Sequence, residues 1–330
     1  SLPATRSSAH PFRDQHLLLA DAQLWHERGV LAWHNARHVE AEAALARAFV
    51  LRNENLGPDH PETLETLERQ AACARSVPKL EAVIARLIGV FGVQHVRVAI
   101  ARRNLAADLR NASRLREARA LLGLAGPVIE GALPAGHADV VALLKVDALL
   151  NLYEKRYEPA LALASRAIEL GQGLWPEAHP FLASAELTVL HVELATKNYK
   201  SAHRRFPSIL GRLEAAFGAH PLVAITLWLG ARIDLEGEYG LLQAEGDMVR
   251  AIEMVRAVHE ETAHLELTLF EVLYRTGRVL DAEKVAHVLY DRVDRPDQKM
   301  VASWLARRFR ERDPRRFAVW QRRAEDDRDT

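Results

Sequence analysis

Histidine both ligates metals and moves protons near neutral pH, and this sequence of 330 residues holds 15 of them. Six sit in a recurring loop: Asp59-His60-Pro61, Gln94-His95-Val96, Gly136-His137-Ala138, Ala178-His179-Pro180, Ala219-His220-Pro221 and Val258-His259-Glu260. Successive members are 35, 42, 42, 41 and 39 residues apart. This spacing argues against a metal centre. Equivalent residues of stacked helical layers lie roughly 10 Å apart, whereas zinc needs every ligand within about 2.3 Å of one ion. The structural reading is a helix start. In Asp59-His60-Pro61-Glu62 the proline suits the first helical position, and acidic side chains favour the positive end of the helix dipole. His34 and His38 are spaced to chelate from one helix, as are His259 and His264 less well, but neither pair has an evident third ligand.

Other chemistry is sparse. No Walker loop, Gly-x-Ser-x-Gly elbow or His-Glu-x-x-His pattern occurs. Gly171-Gln172-Gly173 follows no strand and reads as a helix stop. The single cysteine, Cys73, stands among Ala71, Ala72 and Ala74, the setting of an inert buried thiol. The expectation is a protein with no catalytic residues, no metal and no cofactor.

The elements that carry these histidines are periodic themselves. An alanine recurs in the second helical stretch of each unit, at Ala41, Ala82, Ala118, Ala160, Ala202 and Ala282, with Leu242 in its place in the sixth unit. A small side chain at a fixed place lets two helices cross closely. In the unit that starts at His137, Val140, Leu143, Leu144, Ala148 and Leu152 recur at helical steps, and so do Tyr157, Ala160, Leu161, Ala164 and Ile168. No alternating segment rich in Val, Ile and Thr reads as a strand. One such hairpin cannot bury its apolar stripe alone, but stacked neighbours can.

These residues resemble the tetratricopeptide repeat, in the long variety of about 42 residues known from kinesin light chains and many bacterial arrays. Asn55-Leu56-Gly57-Pro58-Asp59-His60-Pro61-Glu62-Thr63-Leu64 is similar to its inter-repeat signature, and Asn104-Leu105-Ala106 to its first helix. Tyr157-Glu158-Pro159-Ala160-Leu161 and Gly277-Arg278-Val279-Leu280-Asp281-Ala282-Glu283 resemble its second helix. The resemblance implies an all-α fold, a right-handed α-solenoid of about seven helix-turn-helix units over residues 1–292. A C-terminal capping helix and charged tail would follow over 293–330, where Met300, Trp304, Phe309, Phe317 and Trp320 lie among arginines diluted by Glu311, Asp313, Glu325, Asp326, Asp327 and Asp329. The pattern departs in three units. Pro78 opens a short second helix, Gly123, Gly126 and Pro127 should break or kink another, and Gly237, Gly240 and Gly246 crowd the sixth unit.

Composition narrows the function. Lys plus Arg and Asp plus Glu are equal at 44 each, without the basic excess of a nucleic-acid binder, and no apolar run nears the ~20 residues of a membrane span. The start, Ser1-Leu2-Pro3-Ala4, has no initiator methionine, as expected of a piece cut from a longer protein or of processed ends. The cell interior is the expected compartment. The resemblance implies a protein-interaction module, a scaffold, an adaptor or the sensor arm of a larger protein. A peptide-sensing regulator is the alternative, and an RNA-binding helical repeat a more distant one.

In that family the first helix of each repeat lines the concave face. Offsets of five, eight, nine and twelve from each loop histidine then give the expected peptide groove: Glu68, Arg69, Arg103, Asn104, Lys145, Leu187, Thr188, His191, Trp228, Leu229, Arg232, Leu267 and Thr268. It should be basic towards its N-terminal half and largely apolar towards its C-terminal half. Arg103 and Lys145 share an offset in adjacent repeats and could converge on a carboxylate.

Overall fold

The computed structural model describes residues 11–177, 179–257, 262–310 and 313–325. Ser1–Ala4, Ala178, Val258, His259, Glu260, Glu311, Asp326, Asp327 and Asp329 of the sequence argument lie outside them. Sixteen helices and no strand occur among the described residues. In chain order they are α1 (Pro11–His34), α2 (His38–Leu56), α3 (Pro61–Cys73), α4 (Val77–Phe91), α5 (Val96–Asn111), α6 (Leu115–Ala132), α7 (Ala138–Tyr153) and α8 (Tyr157–Gln172). Then follow α9 (Pro180–Ala195), α10 (Tyr199–Phe217), α11 (Pro221–Gly237), α12 (Leu241–Ala257), α13 (Ala263–Arg275), α14 (Val279–Arg292), α15 (Arg295–Phe309) and α16 (Pro314–Glu325).

Each hairpin closes in the same way. One residue per turn takes positive φ: Ala36, Arg75, Ser113, Lys155, Lys197, Glu238 and Gly277. The next residue sends its N–H back five positions, as Arg114 does to Leu109 O at 2.8 Å and Arg278 to Leu273 O at 2.9 Å. This is the Schellman closure, which satisfies the last carbonyls of the first helix. Only the seventh turn uses glycine for it, so the signal was hidden in the sequence.

The second helices carry the register. The fourth residue of each is fully buried: Ala41, Leu80, Ala118, Ala160, Ala202, Ala244 and Ala282 are all 0% exposed. Two sequence assignments are therefore corrected. Ala82 is exposed, and its unit buries Leu80 instead. Leu242 is 84% exposed, and Ala244 keeps the small side chain. In both cases the turn sets the register: Arg75 and Glu238 take positive φ, and the fourth residue of the helix that follows is Leu80 or Ala244.

The loop histidines start the first helices in a way that the sequence argument missed. The Nδ1 atoms of His60, His95, His137 and His220 accept the backbone N–H two residues on, at 3.3, 3.2, 3.1 and 3.1 Å. Imidazole does here what Ser, Asp or Asn usually does at an N-cap. The arrangement requires the neutral tautomer with its proton on Nε2. Replacing His137 by Ala should destabilise the α7–α8 hairpin by about 1 kcal/mol, and Asn should restore most of it. Urea unfolding of the two variants reads both outcomes.

The expected break in the third unit does not occur, since α6 runs unbroken through Gly123, Gly126 and Pro127. Gly123 and Pro127 face solvent, where water can take the carbonyl that proline leaves unbonded, while Ala118, Leu122, Ala125 and Ile129 anchor the opposite face. Likewise, α12 continues through Gly246. Gly230 in α11 is needed for close approach, because a Cβ there would fall within 2.8 Å of Phe206 Cε1.

The chain forms two compact units. The first holds residues 1–198 with 211–222, and the second holds 199–210 with 223–330. In the first, consecutive helices pack against each other, and the first helices α1, α3, α5, α7 and α9 also touch in sequence. This side-by-side contact of first helices makes one continuous inner face. In the second, the tail is two helices. Phe270 meets Trp304 and Phe309 edge-on at 5.6 and 5.7 Å, Trp320 packs on Tyr290 and His287, and Arg316 pairs with Glu283. Trp320 and Phe309 are 1% and 0% exposed, so these two aromatic residues of the tail serve packing.

Candidate functional site

In the first unit, the expected groove residues form a connected polar line across α3, α5 and α7. Asn104 Nδ2 donates to Glu68 Oε1 at 2.7 Å, and its Oδ1 accepts from Arg103 Nη2 at 2.9 Å. Arg103 Nη1 reaches Asp139 Oδ1 at 2.8 Å and the Asp139 carbonyl at 3.1 Å. Arg103 is thus an internal brace, buried and bonded on both sides. Burial raises the Glu68 pKa, and the Asn104 amide and neighbouring arginines only partly oppose it. Arg69 stays exposed.

Lys145 on α7 is the most perturbed group of this face. Burial, with Arg110 and Arg103 close by, lowers its pKa to about 7. His34 and His179 lie within its field, and each is lowered first by burial. His220, which caps α11, also donates from Nε2 to the His34 carbonyl at 3.0 Å. Because Nδ1 is occupied by the cap, Nε2 carries the proton and donates. The first helix and the sixth loop therefore meet inside this unit.

Leu187 and Thr188 are packed into the core at 5% and 0% exposure, with the Thr188 hydroxyl donating to Ser184 O at 2.9 Å. His191 is half-buried, its Nδ1 at 3.1 Å from Leu187 O.

The second unit contains a cavity of about 530 Å³. Its floor is α13, through His264, Leu267, Thr268, Glu271 and Arg275, and its walls are α11 and α15. Each wall carries a tryptophan followed four residues later by an arginine. Arg232 lies 5.6 Å from the Trp228 ring, and Arg308 lies 5.1 Å from the Trp304 ring. Trp228 Nε1 donates to Thr268 Oγ1 at 2.9 Å, which fixes its ring across the cavity. Buried Glu271 holds two cations, Arg275 Nε at 2.9 Å and Arg308 Nε at 3.1 Å, and Arg232 pairs with Glu236. Three guanidinium groups face two carboxylates, leaving one positive charge over an aromatic wall.

Trp228, Arg232, Leu267 and Thr268 are brought together here, but Leu229 is 0% exposed and belongs to the core. The lining is less apolar than the sequence led us to expect, because Leu229 at offset nine turns into helix packing while Arg232 and Glu271 at offset twelve line the cavity. Glu271 is the residue at offset twelve of the seventh unit and was legible by that rule. Trp304 and Arg308 were not, having been assigned to a cap.

Among the described residues no group of three metal-ligating side chains occurs. The Cys73 thiol is pushed up to about 11 by burial. No helix of the described residues is long and apolar enough to cross a membrane.

No family model matches this sequence, and no curated protein matches it. Solved structures do. The apo form of RapI is 12% identical, with 93% of this chain and 85% of that chain covered at a TM-score of 0.61. A Rap protein complexed with competence and sporulation factor is 11% identical, with 94% and 97% covered at a TM-score of 0.60. At these identities the likeness is one of fold, that of an all-α tetratricopeptide-type repeat solenoid.

Proposed function

We propose that this chain is a protein-interaction module that binds a peptide or an extended protein segment along the inner faces of its first helices. The observation that carries the reading is the cavity in the second unit, about 530 Å³ between Trp228–Arg232 and Trp304–Arg308. Tryptophan and arginine dominate binding hot spots because they combine large apolar area with directed polar contacts. A side chain of the ligand enters between the tryptophan rings, and an acidic neighbour meets the surplus positive charge. Within the first unit, Glu68, Arg69, Asn104 and Lys145 form a polar face of their own braced by Arg103, while Leu187 and Thr188 there and Leu229 in the second unit are core residues.

Panning a random peptide display library against the intact chain tests this. Enriched peptides should lose about 30-fold or more in affinity with Trp228→Ala, a hot-spot loss of ~2 kcal/mol, while the unfolding transition stays in place. Enrichment of nothing, or peptides indifferent to Trp228→Ala and Trp304→Ala alike, sinks the assignment.

A peptide-sensing regulator is the specific form that the neighbour complexed with competence and sporulation factor favours. Base stacking on the two tryptophans would be the RNA-binding form, but the single surplus charge left by Glu236 and Glu271 is too little to track a phosphate backbone. Filter binding of single-stranded RNA across a salt series should show no steep salt dependence.

A further inference from the structure

The floor of the second unit's cavity carries a charge whose hydrogen bonding is incomplete. Glu271 on α13 lines the cavity with a side chain that is 4% exposed. Its Oε1 accepts from Arg275 Nε at 2.9 Å. Its Oε2 is the oxygen turned towards α15, where it forms an ion pair with Arg308 Nε at 3.1 Å. That contact lacks hydrogen-bond alignment, and Oε2 is buried without accepting a hydrogen bond from any described residue. A carboxylate oxygen only accepts, so an N–H or O–H donor completes it. The surrounding charges decide which donor. Arg232, Arg275 and Arg308 face Glu236 and Glu271 across the lining. An entering ammonium would add a cation where one is already in surplus, and an entering carboxylate would face Glu271 itself. Like-charge contacts of this kind exclude partners, and a neutral donor makes neither. The walls decide its shape. Trp228 is held by Thr268, and Trp304 stands edge-on to Phe270 at 5.6 Å. Each ring has a guanidinium beside it. Indole faces and guanidinium planes both favour contact with an aromatic ring.

We propose that the cavity takes a tyrosine side chain of the bound peptide, its hydroxyl donating to Glu271 Oε2. This rests on the peptide reading above and names the residue that enters. The phenol ring lies between Trp228 and Trp304, and its oxygen accepts from the Arg308 guanidinium. Phenol is the side-chain group that joins an aromatic ring to a single atom able both to donate and to accept. Indole donates only, and a phenyl ring leaves Glu271 Oε2 as it is. Acidic residues beside the tyrosine meet the surplus positive charge.

The probes are fluorescein-labelled, C-terminally amidated pentapeptides Gly-Asp-Tyr-Asp-Gly, with Phe, Trp, Lys or Glu also placed at the centre. Each is titrated against the intact chain by fluorescence anisotropy. The tyrosine form should bind about tenfold tighter than the phenylalanine form, the factor expected of a hydrogen bond to a buried charge. The tryptophan, lysine and glutamate forms should all bind more weakly than the tyrosine form. Glu271→Gln should lower the tyrosine-to-phenylalanine ratio about threefold or more and strengthen the glutamate form. Arg308→Met changes a side chain that is 47% exposed, so it keeps the test open should Glu271→Gln fail to fold. It should lower the same ratio about threefold. Trp304→Leu should weaken the tyrosine and phenylalanine forms alike. A purely structural Glu271 would shift every peptide together and leave the ratio intact. The site is overturned if the native chain binds the tyrosine and phenylalanine forms within about twofold, or binds the tryptophan, lysine or glutamate form tightest. A ratio unmoved by both Glu271→Gln and Arg308→Met overturns it too, as does binding of none of the five. If display yields peptides that need Trp228 but carry no tyrosine, the peptide reading stands and this inference falls. If display yields nothing while the ratios hold, the phenol site stands and the reading of a segment along the inner faces falls.

Discussion

Arg52→Met should destabilise the first unit by about 1–3 kcal/mol, the cost of leaving buried acceptors without their donor. Arg52 is 1% exposed towards the C-terminal end of α2. It donates to Glu62 O at 2.9 Å and Thr66 Oγ1 at 2.8 Å on α3, bonds Gln23 Oε1 on α1, and lies 3.4 Å from His26 Nδ1. Glu62 and Glu65 supply charge at 3.5 and 3.7 Å. Methionine keeps the apolar volume, so the loss reads the polar network and not a cavity. His26 would then share Thr66 Oγ1, at 3.2 Å, with water. Contacts in a repeat array are nearest-neighbour, so the damage should stay local. Hydrogen exchange by mass spectrometry should show protection lost in α1–α3 and kept in α7–α8. Uniform loss across both regions would mean that the unit unfolds as one.

Glu266→Gln should cost the second unit about 2–3 kcal/mol. Glu266 starts α13 and its side chain is 4% exposed, yet it accepts from Arg256, Arg292 and Thr262. Glutamine would leave two guanidinium groups facing each other across a neutral amide. The lower figure applies because both arginines reach solvent, Arg256 at 53% and Arg292 at 41% exposure. Burial alone would raise the Glu266 pKa, but the hydrogen bonds from Arg292 and Arg256 outweigh it and hold the value below the usual range. A depressed carboxylate stabilises the fold fully above its unfolded value, about 4.3. That stabilisation is lost as pH falls through the folded value. Acid titration should therefore loosen α12–α14 below about pH 4.3 in the native chain, with a smaller acid-induced change in Glu266→Gln. An identical acid transition in both chains would remove Glu266 as its cause.

The groove residues divide on physical lines that explain which were readable. Offsets eight and twelve from the loop histidine gave Trp228, Arg232 and Lys145, because a helical period of 3.6 puts those positions on one face wherever the helix start is fixed. Offset nine gave Thr188 and Leu229, which turn into the core, but also Thr268, which lines the cavity, and offset eight gave Leu187, which is core. One residue is 100° of rotation, so the periodic rule separates lining from core only to within about one position.

By itself the sequence determined the helical hairpin, the repeat and its phase. Loop histidines and small residues recur with the repeat, and this local information survives without knowledge of partners. Leu80 replacing an alanine, and the shift from Leu242 to Ala244, show where local pattern misplaced the register by two residues. Only the tertiary structure decided what each charge faces. Arg103 and Arg110 look alike in the sequence, seven residues apart on one helix. Packing gives Arg103 the Asp139 carboxylate and leaves Arg110 two buried donors without one. Likewise, nothing local marks Trp304 and Arg308 as a wall. They become one when α15 folds back on α13 and brings them across from Trp228 and Arg232, 76 residues earlier in the chain. Pairing of charges and closure of a cavity depend on which surfaces meet across long sequence separations, and a periodic pattern carries no term for that.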